Sequence, residues 1–294
     1  MVFSFHKKNT KPTVAVALRF CVHRYLRLLP TVAISVMLAY VVIRFGWNAN
    51  LQVYEIRPME FLLGAFPTEN VSFLNAVYEA FIGTFLHTTS YVAPMWTIPF
   101  EFLGICAGYI VYCCLYNQKW RHIAFLALFV VLFVYKIHMS KIVLGIIIGD
   151  ILFNSNLCLL QIDFECLKNK RIQEVTLILG IMFSATVLLV YQSSLMEIGG
   201  ITFIILAFLY TQNKVKSVLE SSLVLRIAKY SFMVYAIHWV LIFSVGCQLL
   251  VVFYKISGSY YVAAGIMSFV MLVITWGISI VIQQIFERFR RVKW

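Results

Sequence analysis

Hydrophobic positions in this chain fall into long unbroken blocks, separated by short polar intervals. The blocks are Leu28–Gly46, Ile98–Tyr116, His122–His138, Val143–Asn156, Ile172–Tyr191, Ile198–Thr211, Tyr230–Tyr254 and Val262–Phe286. A helix needs about 20 residues to cross a hydrocarbon core of about 30 Å. No strict apolar/polar alternation runs through the blocks, so they read as helices and not as barrel strands. The expected fold is therefore all-α: a polytopic transmembrane helical bundle of about eight spans. The fourth and sixth blocks are short, which points to tilted, broken or shielded helices. The longest polar interval, Trp47–Met95, contains one amphipathic stretch. Leu74, Val77, Tyr78, Phe81, Ile82 and Phe85 follow the i, i+3, i+4 spacing, with Asn75, Glu79 and Gly83 opposite. That pattern predicts a helix lying on the outer membrane surface or capping the bundle, as plain packing or as part of a substrate site.

Composition agrees with lipid as the main solvent. Of 294 residues, 62% are hydrophobic and 12% charged, with a mean hydropathy of +0.89. Soluble domains are about 45–50% apolar and about 25% charged. Too few polar residues remain to coat a globule, which excludes a soluble enzyme, a disordered chain and a free nucleic-acid binder. The net charge of +12 is then an orientation signal. With the N-terminus in the cytoplasm, only Arg44, Arg57, Lys136, Lys141 and Lys255 of the 24 basic residues fall outside. The positive-inside rule thus favours an even number of spans with both termini cytoplasmic. Residues 1–27 form a basic cytoplasmic arm, and residues 47–95 an outer loop carrying Glu55, Glu60, Glu69 and Glu79. The whole chain, 1–294, reads as one domain, integral to a membrane, with the plasma or cell membrane expected. No signal peptide is visible, since no apolar run precedes Arg19. The 7 cysteines are odd in number and lack metal-ligand spacing, so neither disulfides nor a metal site is expected. Asn70-Val71-Ser72 is a glycosylation sequon on the outer loop.

Polar groups inside spans carry the candidate chemistry, because lipid makes them costly to keep. Glu101 follows Pro99 at the start of a span, inside the outer leaflet, where it should face the bundle and find a donor. A carboxylate in a first helical turn also stabilises the free amides there. His238 lies about 12 Å into its span. With Ser231 and Tyr235 it forms one polar stripe, lining a cavity or bonding between helices. Asp150 follows Gly145 and Gly149 in the short fourth span and pairs with a basic group or reaches the interface. Arg24 and Arg27 project from one face just before the first span. Two guanidiniums so placed can grip phosphates bidentately, or simply anchor the helix to lipid head groups.

Four segments, in order, resemble the acyltransferase 3 family of membrane acyltransferases. Arg24-Tyr25-Leu26-Arg27-Leu28-Leu29-Pro30 is similar to its Arg-x-x-Arg motif followed by Pro. Trp96-Thr97-Ile98-Pro99-Phe100-Glu101 is similar to its Trp-Ser-x-x-x-Glu segment, with Thr97 for Ser. Tyr230-Ser231 through Tyr235 to His238-Trp239 resembles its Ser-Tyr…Tyr…His-Trp segment. Phe286-Glu287-Arg288-Phe289 resembles the closing Glu-x-Pro-Phe, without the Pro. The resemblance runs from about Ala17 to the C-terminus. It implies a donor, acyl-CoA, acting as co-substrate with no other cofactor, and a carbohydrate, lipid or other small acceptor. It makes Arg24 and Arg27 the donor-binding pair, and Trp96, Glu101, Tyr235 and His238 the pocket or its support.

The family's base is a histidine eleven positions after a basic residue in its first span. A hydroxyl acceptor needs such a base before it attacks. No histidine here has Lys or Arg eleven positions before it, and the family has ten spans. The expectation is therefore a truncated or divergent member lacking the first two spans, inactive as it stands or using His238 as base. Two rivals are kept open: a transporter or flippase-like permease, suggested by Glu101, Asp150 and His238, and a catalytically dead remnant or partner subunit.

Overall fold

The computed structural model describes residues 13–67, 71–87, 91–118, 120–134, 217 and 220–291. The chain is all-α over these residues. It opens on α1 (Val14–Arg44), followed by the short helices α2 (Asn50–Ile56) and α3 (Glu60–Leu63). Next come α4 (Phe73–Tyr78), a π-helical turn Glu79–Gly83 and α5 (Thr84–Leu86). A 3-10 turn, Ala93–Trp96, leads into α6 (Thr97–Leu115), and α7 (Arg121–Val134) follows. The last stretch holds α8 (Ser222–Leu241), a π turn Ile242–Gly246, α9 (Cys247–Ser257) and α10 (Tyr260–Arg291). Among the described residues, four helical stretches are long and apolar enough to cross a membrane: Val14–Arg44, Ala93–Leu115, Ser222–Ser257 and Tyr260–Arg288. They fit an integral, multi-pass membrane protein. They contain the first, second, seventh and eighth expected spans. The third overlaps α7, as far as the described residues extend. The fourth to sixth, with Asp150, lie outside the described residues.

Helix α1 begins at Val14, well before the expected Leu28, because a charged residue limits contact with lipid without breaking a helix. Pro30 sits inside it and removes only one backbone donor from an otherwise continuous ladder. Its end is a Schellman motif: the Gly46 amide reaches the Ile43 carbonyl and the Trp47 amide that of Val42, at 3.1 and 2.9 Å. The motif needs a left-handed residue, and Gly46 supplies it with φ +65°. Gly258, also at φ +65°, ends α9 in the same conformation, its amide bonded to Tyr254. The π turn at Ile242–Gly246 is held by Ser244, whose hydroxyl donates to the Val240 carbonyl at 2.6 Å. The Phe243 carbonyl there accepts the Ala49 amide.

The chain divides into two compact units, residues 18–106 with 227–294, and residues 1–17 with 107–226. In the second of these, the part of α6 from Ala107 onward packs on α7 through aromatic rings. Tyr112 stacks on Phe125 at 6.1 Å. Arg121 donates to the Tyr116 carbonyl at 2.9 Å.

The other unit holds the main core, including Val32, Val36, Ala39, Ala236, Ile237 and Val240. The Ser35 hydroxyl donates to the Ala236 carbonyl. Farther on, Gln248 donates to the Trp47 carbonyl at 3.0 Å. These pairings make α1 and α8–α9 run side by side in the same direction. At the far end Arg57 lies 4.8 and 5.1 Å over the rings of Tyr260 and Tyr261. At the near end Lys229 meets Glu287 at 2.8 Å.

The amphipathic stretch forms a helix as expected, Phe73–Leu86, but with its faces reversed. Ala76, Glu79, Ala80, Gly83 and Thr84 are buried, whereas Leu74, Phe81 and Ile82 are exposed. Nor does the helix simply cap the end of α1. Phe73 packs on Tyr40 at 6.0 Å, and Phe85 on Tyr25 at 4.9 Å. Tyr40 and Tyr25 are about 22 Å apart along α1, so the segment runs back down the side of that helix. Phe85 alone of the expected apolar face is fully turned inward.

Candidate functional site

The return of Phe73–Leu86 along α1 sets the position of everything after it. It brings Phe85 against Tyr25 and Phe102, next to Arg24 and Glu101. The Tyr25 hydroxyl donates to the Phe81 carbonyl at 2.7 Å, and its ring packs with Phe85 and Phe102, which contact each other at 5.4 Å. That aromatic group fixes the first turn of α6 beside Arg24. Arg24 Nη2 and Glu101 Oε2 are then 3.8 Å apart. Glu101 was expected to face the bundle and find a donor; it is largely exposed instead, with Arg24 beside it at ion-pair distance. Sequence reading put Glu101 in the outer leaflet and Arg24 at the cytoplasmic face; the structure brings their side chains together. Lys229 lies about 6 Å from the level of Arg24, judged from the Ser35–Ala236 pairing and the helical rise.

The Arg24 side chain is 14% exposed, and that of Glu101 54%. At 3.8 Å the pair is an ion pair too long for a hydrogen bond. Arg24 Nε is buried without a hydrogen-bond partner. A guanidinium has five N–H donors in a planar fork, so this one retains capacity for an anion. Arg27, one turn on, is exposed.

A second junction forms where α8 passes the 3-10 turn. The Tyr235 hydroxyl donates to the Pro94 carbonyl, and Thr97 Oγ1 lies 3.1 Å from the same oxygen. Tyr235 has one proton and spends it on a carbonyl, so Thr97 is the donor in the second bond. His238 Nδ1 lies 2.6 Å from the Tyr235 carbonyl. A carbonyl only accepts, so Nδ1 carries a proton. In the neutral ring the lone pair is then on Nε2, and the ring orientation is fixed by its own helix. Trp239, next in sequence, donates through Nε1 to the Ala65 carbonyl at 2.9 Å.

Two expected members stand apart. Ser231 is exposed and turns its hydroxyl onto the Ala228 carbonyl of its own helix at 2.9 Å. Trp96 is 51% exposed and meets Phe100 edge-on at 6.1 Å. The stripe is thus reduced to Tyr235 and His238, and Trp96 faces outward, as an interface residue does.

Sequence reading missed a buried polar group on the Phe73–Leu86 helix. Glu79 is 7% exposed and Tyr91 fully buried. Asn75 donates to the Tyr91 hydroxyl at 3.5 Å. Burial pushes the Tyr91 phenol up from its usual range, with Glu79 and Tyr40 adding to the shift and Asn75 opposing it. The Glu79 carboxyl folds over Gly83: a Cβ built there would stand 2.5 Å from Oε2. The i, i+4 spacing of Glu79 and Gly83 was the available signal, since a glycine one turn from a carboxylate leaves room for it to lie flat.

Together these features define a class, an all-α protein with several membrane-length apolar helices and polar groups gathered beside α1. No protein-family model, curated protein or solved structure matches the chain.

Proposed function

We propose that this protein is a multi-pass membrane acyltransferase similar to the acyltransferase 3 family. It moves an acyl group from acyl-CoA to a hydroxyl of a carbohydrate, lipid or other small acceptor. Its topology is eight spans with both termini cytoplasmic, in the plasma or cell membrane. One observation carries the reading. Segments that resemble the family's motifs, far apart in sequence, pair with one another: Arg24 with Glu101, and Thr97 with Tyr235. Motif likeness by accident gives no reason for such pairing.

In this reading Arg24 and Arg27 hold the donor's phosphates, with Glu101 orienting Arg24 when the anion is absent. Tyr235 and Thr97 brace the turn that carries Glu101. His238 Nε2 takes the acceptor hydroxyl proton as the oxygen attacks the thioester carbonyl. The tetrahedral adduct collapses, the C–S bond breaks, and the CoA thiolate leaves and takes up the proton. General-base catalysis of this kind contributes about 10²–10⁴-fold.

The test is transfer of labelled acyl groups from acyl-CoA to a panel of hydroxyl acceptors by purified protein in liposomes. Arg24→Ala and Arg27→Ala should raise KM for the donor, and His238→Gln should lower kcat by about 100-fold or more. Absence of transfer to any acceptor, with the protein folded, refutes the reading.

The rival is a transporter or flippase-like permease, favoured by the burial of Glu79 on an apolar helix, since buried charges in membrane segments often mark transport paths. Substrate flux into proteoliposomes without acyl donor separates the two.

A further inference from the structure

The helix Phe73–Leu86 presents large apolar side chains outward along its whole length. Leu74, Tyr78, Phe81, Ile82 and Leu86 are exposed, Leu74 by 79%. The opposite face carries Asn75, Glu79 and Thr84 inward against the protein. This is the reverse of an amphipathic helix in water or at a membrane surface, where polar groups face the aqueous side. It is the arrangement expected where the solvent is hydrocarbon: apolar side chains outward, polar ones satisfied inside.

The position agrees. The helix lies beside α1 from Tyr40 to Tyr25, and the stretch of α1 from Leu28 to Ile43 contains no charged residue. The span α10 shows the same outward character, with Phe269, Leu272 and Val273 exposed. The exposed face of Phe73–Leu86 carries no charge that a protein or a polar ligand would recognise.

We propose that Phe73–Leu86 is an intramembrane helix, laid along α1 with its apolar face in contact with lipid acyl chains. It is a re-entrant element, and its inward face places Asn75, Glu79 and Thr84 in the membrane interior of the protein. The π turn at Glu79–Gly83 widens the helix where the carboxylate is buried, as π turns often do at sites of special use. The inference requires a membrane protein and does not depend on acyl transfer.

Leu74, Tyr78, Ile82 and Leu86 stand at successive i, i+4 positions on the outward face, which makes them a depth gauge. A bioorthogonal nitroxide amino acid is placed singly at each, leaving the 7 native cysteines untouched. The full chain is reconstituted in phosphatidylcholine vesicles, and collision with oxygen and with a nickel chelate is measured by power saturation. The expected result is a monotonic change of depth from Leu74 to Leu86, totalling about 18 Å, with at least one position at the depth of the hydrocarbon centre. Equal shallow depth at all four positions means a surface helix and overturns the proposal. Nickel access at all four means an aqueous face and does the same. Dipolar broadening at every position means that a second copy covers the face, and replaces lipid with a protein partner. Native-like elution and circular dichroism of each labelled protein establish that the reading comes from the folded chain.

Discussion

Tyr235 joins its own helix to the turn that opens α6 through one side-chain oxygen, and its backbone carbonyl holds a neighbour on the same helix. Its hydroxyl serves Pro94 and Thr97, and its carbonyl fixes His238. A net hydrogen bond contributes about 0.5–1.5 kcal/mol, and more is lost where a buried partner is left unmet. Tyr235→Phe should therefore destabilise by about 1–3 kcal/mol, which at about 2–4 °C per kcal/mol is a fall of several degrees in the melting temperature. Thermal unfolding in detergent checks it. Thr97→Ser should retain the wild-type value, whereas Thr97→Val should lose part of it. At this scale the sequence was partly legible. The 4+3 spacing identified the face shared by Tyr235 and His238, but gave Ser231 equal standing. Glu79 was read as an outer charge, because its burial depends on which face of its helix turns inward, and periodicity marks two faces without ranking them.

Among the elements, the ends of helices were more legible than their beginnings. Gly46 and Gly258 stop α1 and α9 for a reason written in the residue, since only glycine takes φ +65° without steric cost. The start of α1 was misplaced, because hydropathy measures fit to lipid and not backbone hydrogen bonding. Two glycines make a paired test. A Cβ at either Gly258 or Gly277 meets nothing within 4 Å, so crowding plays no part. Gly258 is left-handed and Gly277 helical. Gly258→Ala should destabilise by about 1 kcal/mol or more, and Gly277→Ala should stabilise by about 0.5–1 kcal/mol. Opposite shifts of melting temperature from the same chemical change are the expected outcome. Equal shifts would show that the helix ends do not set stability.

For the whole molecule, the two ends of the helices carry different chemistry. Lys229 and Glu287 mark one end, and Arg57 clasped by Tyr260 and Tyr261 marks the other. In the proposed topology the first faces the cytoplasm. Epitope tags at both termini should then be reached by antibody only after permeabilisation, while a tag inserted after Gly258 should be reached in intact cells. A terminus accessible without permeabilisation would sink this topology.

What the sequence determined by itself was the solvent, the helical character and the approximate place of the membrane-length segments, because each depends on residues close together in the chain. It also supplied the candidate residues, through their cost in lipid. Only the tertiary structure decided which of them meet. Arg24 reaches Glu101 because Phe73–Leu86 doubles back along α1, and that helix turns its polar face inward because the apolar one has no better place than outside. Both outcomes depend on the path of the chain between distant positions, where local patterns of hydrophobic and polar residues hold no information.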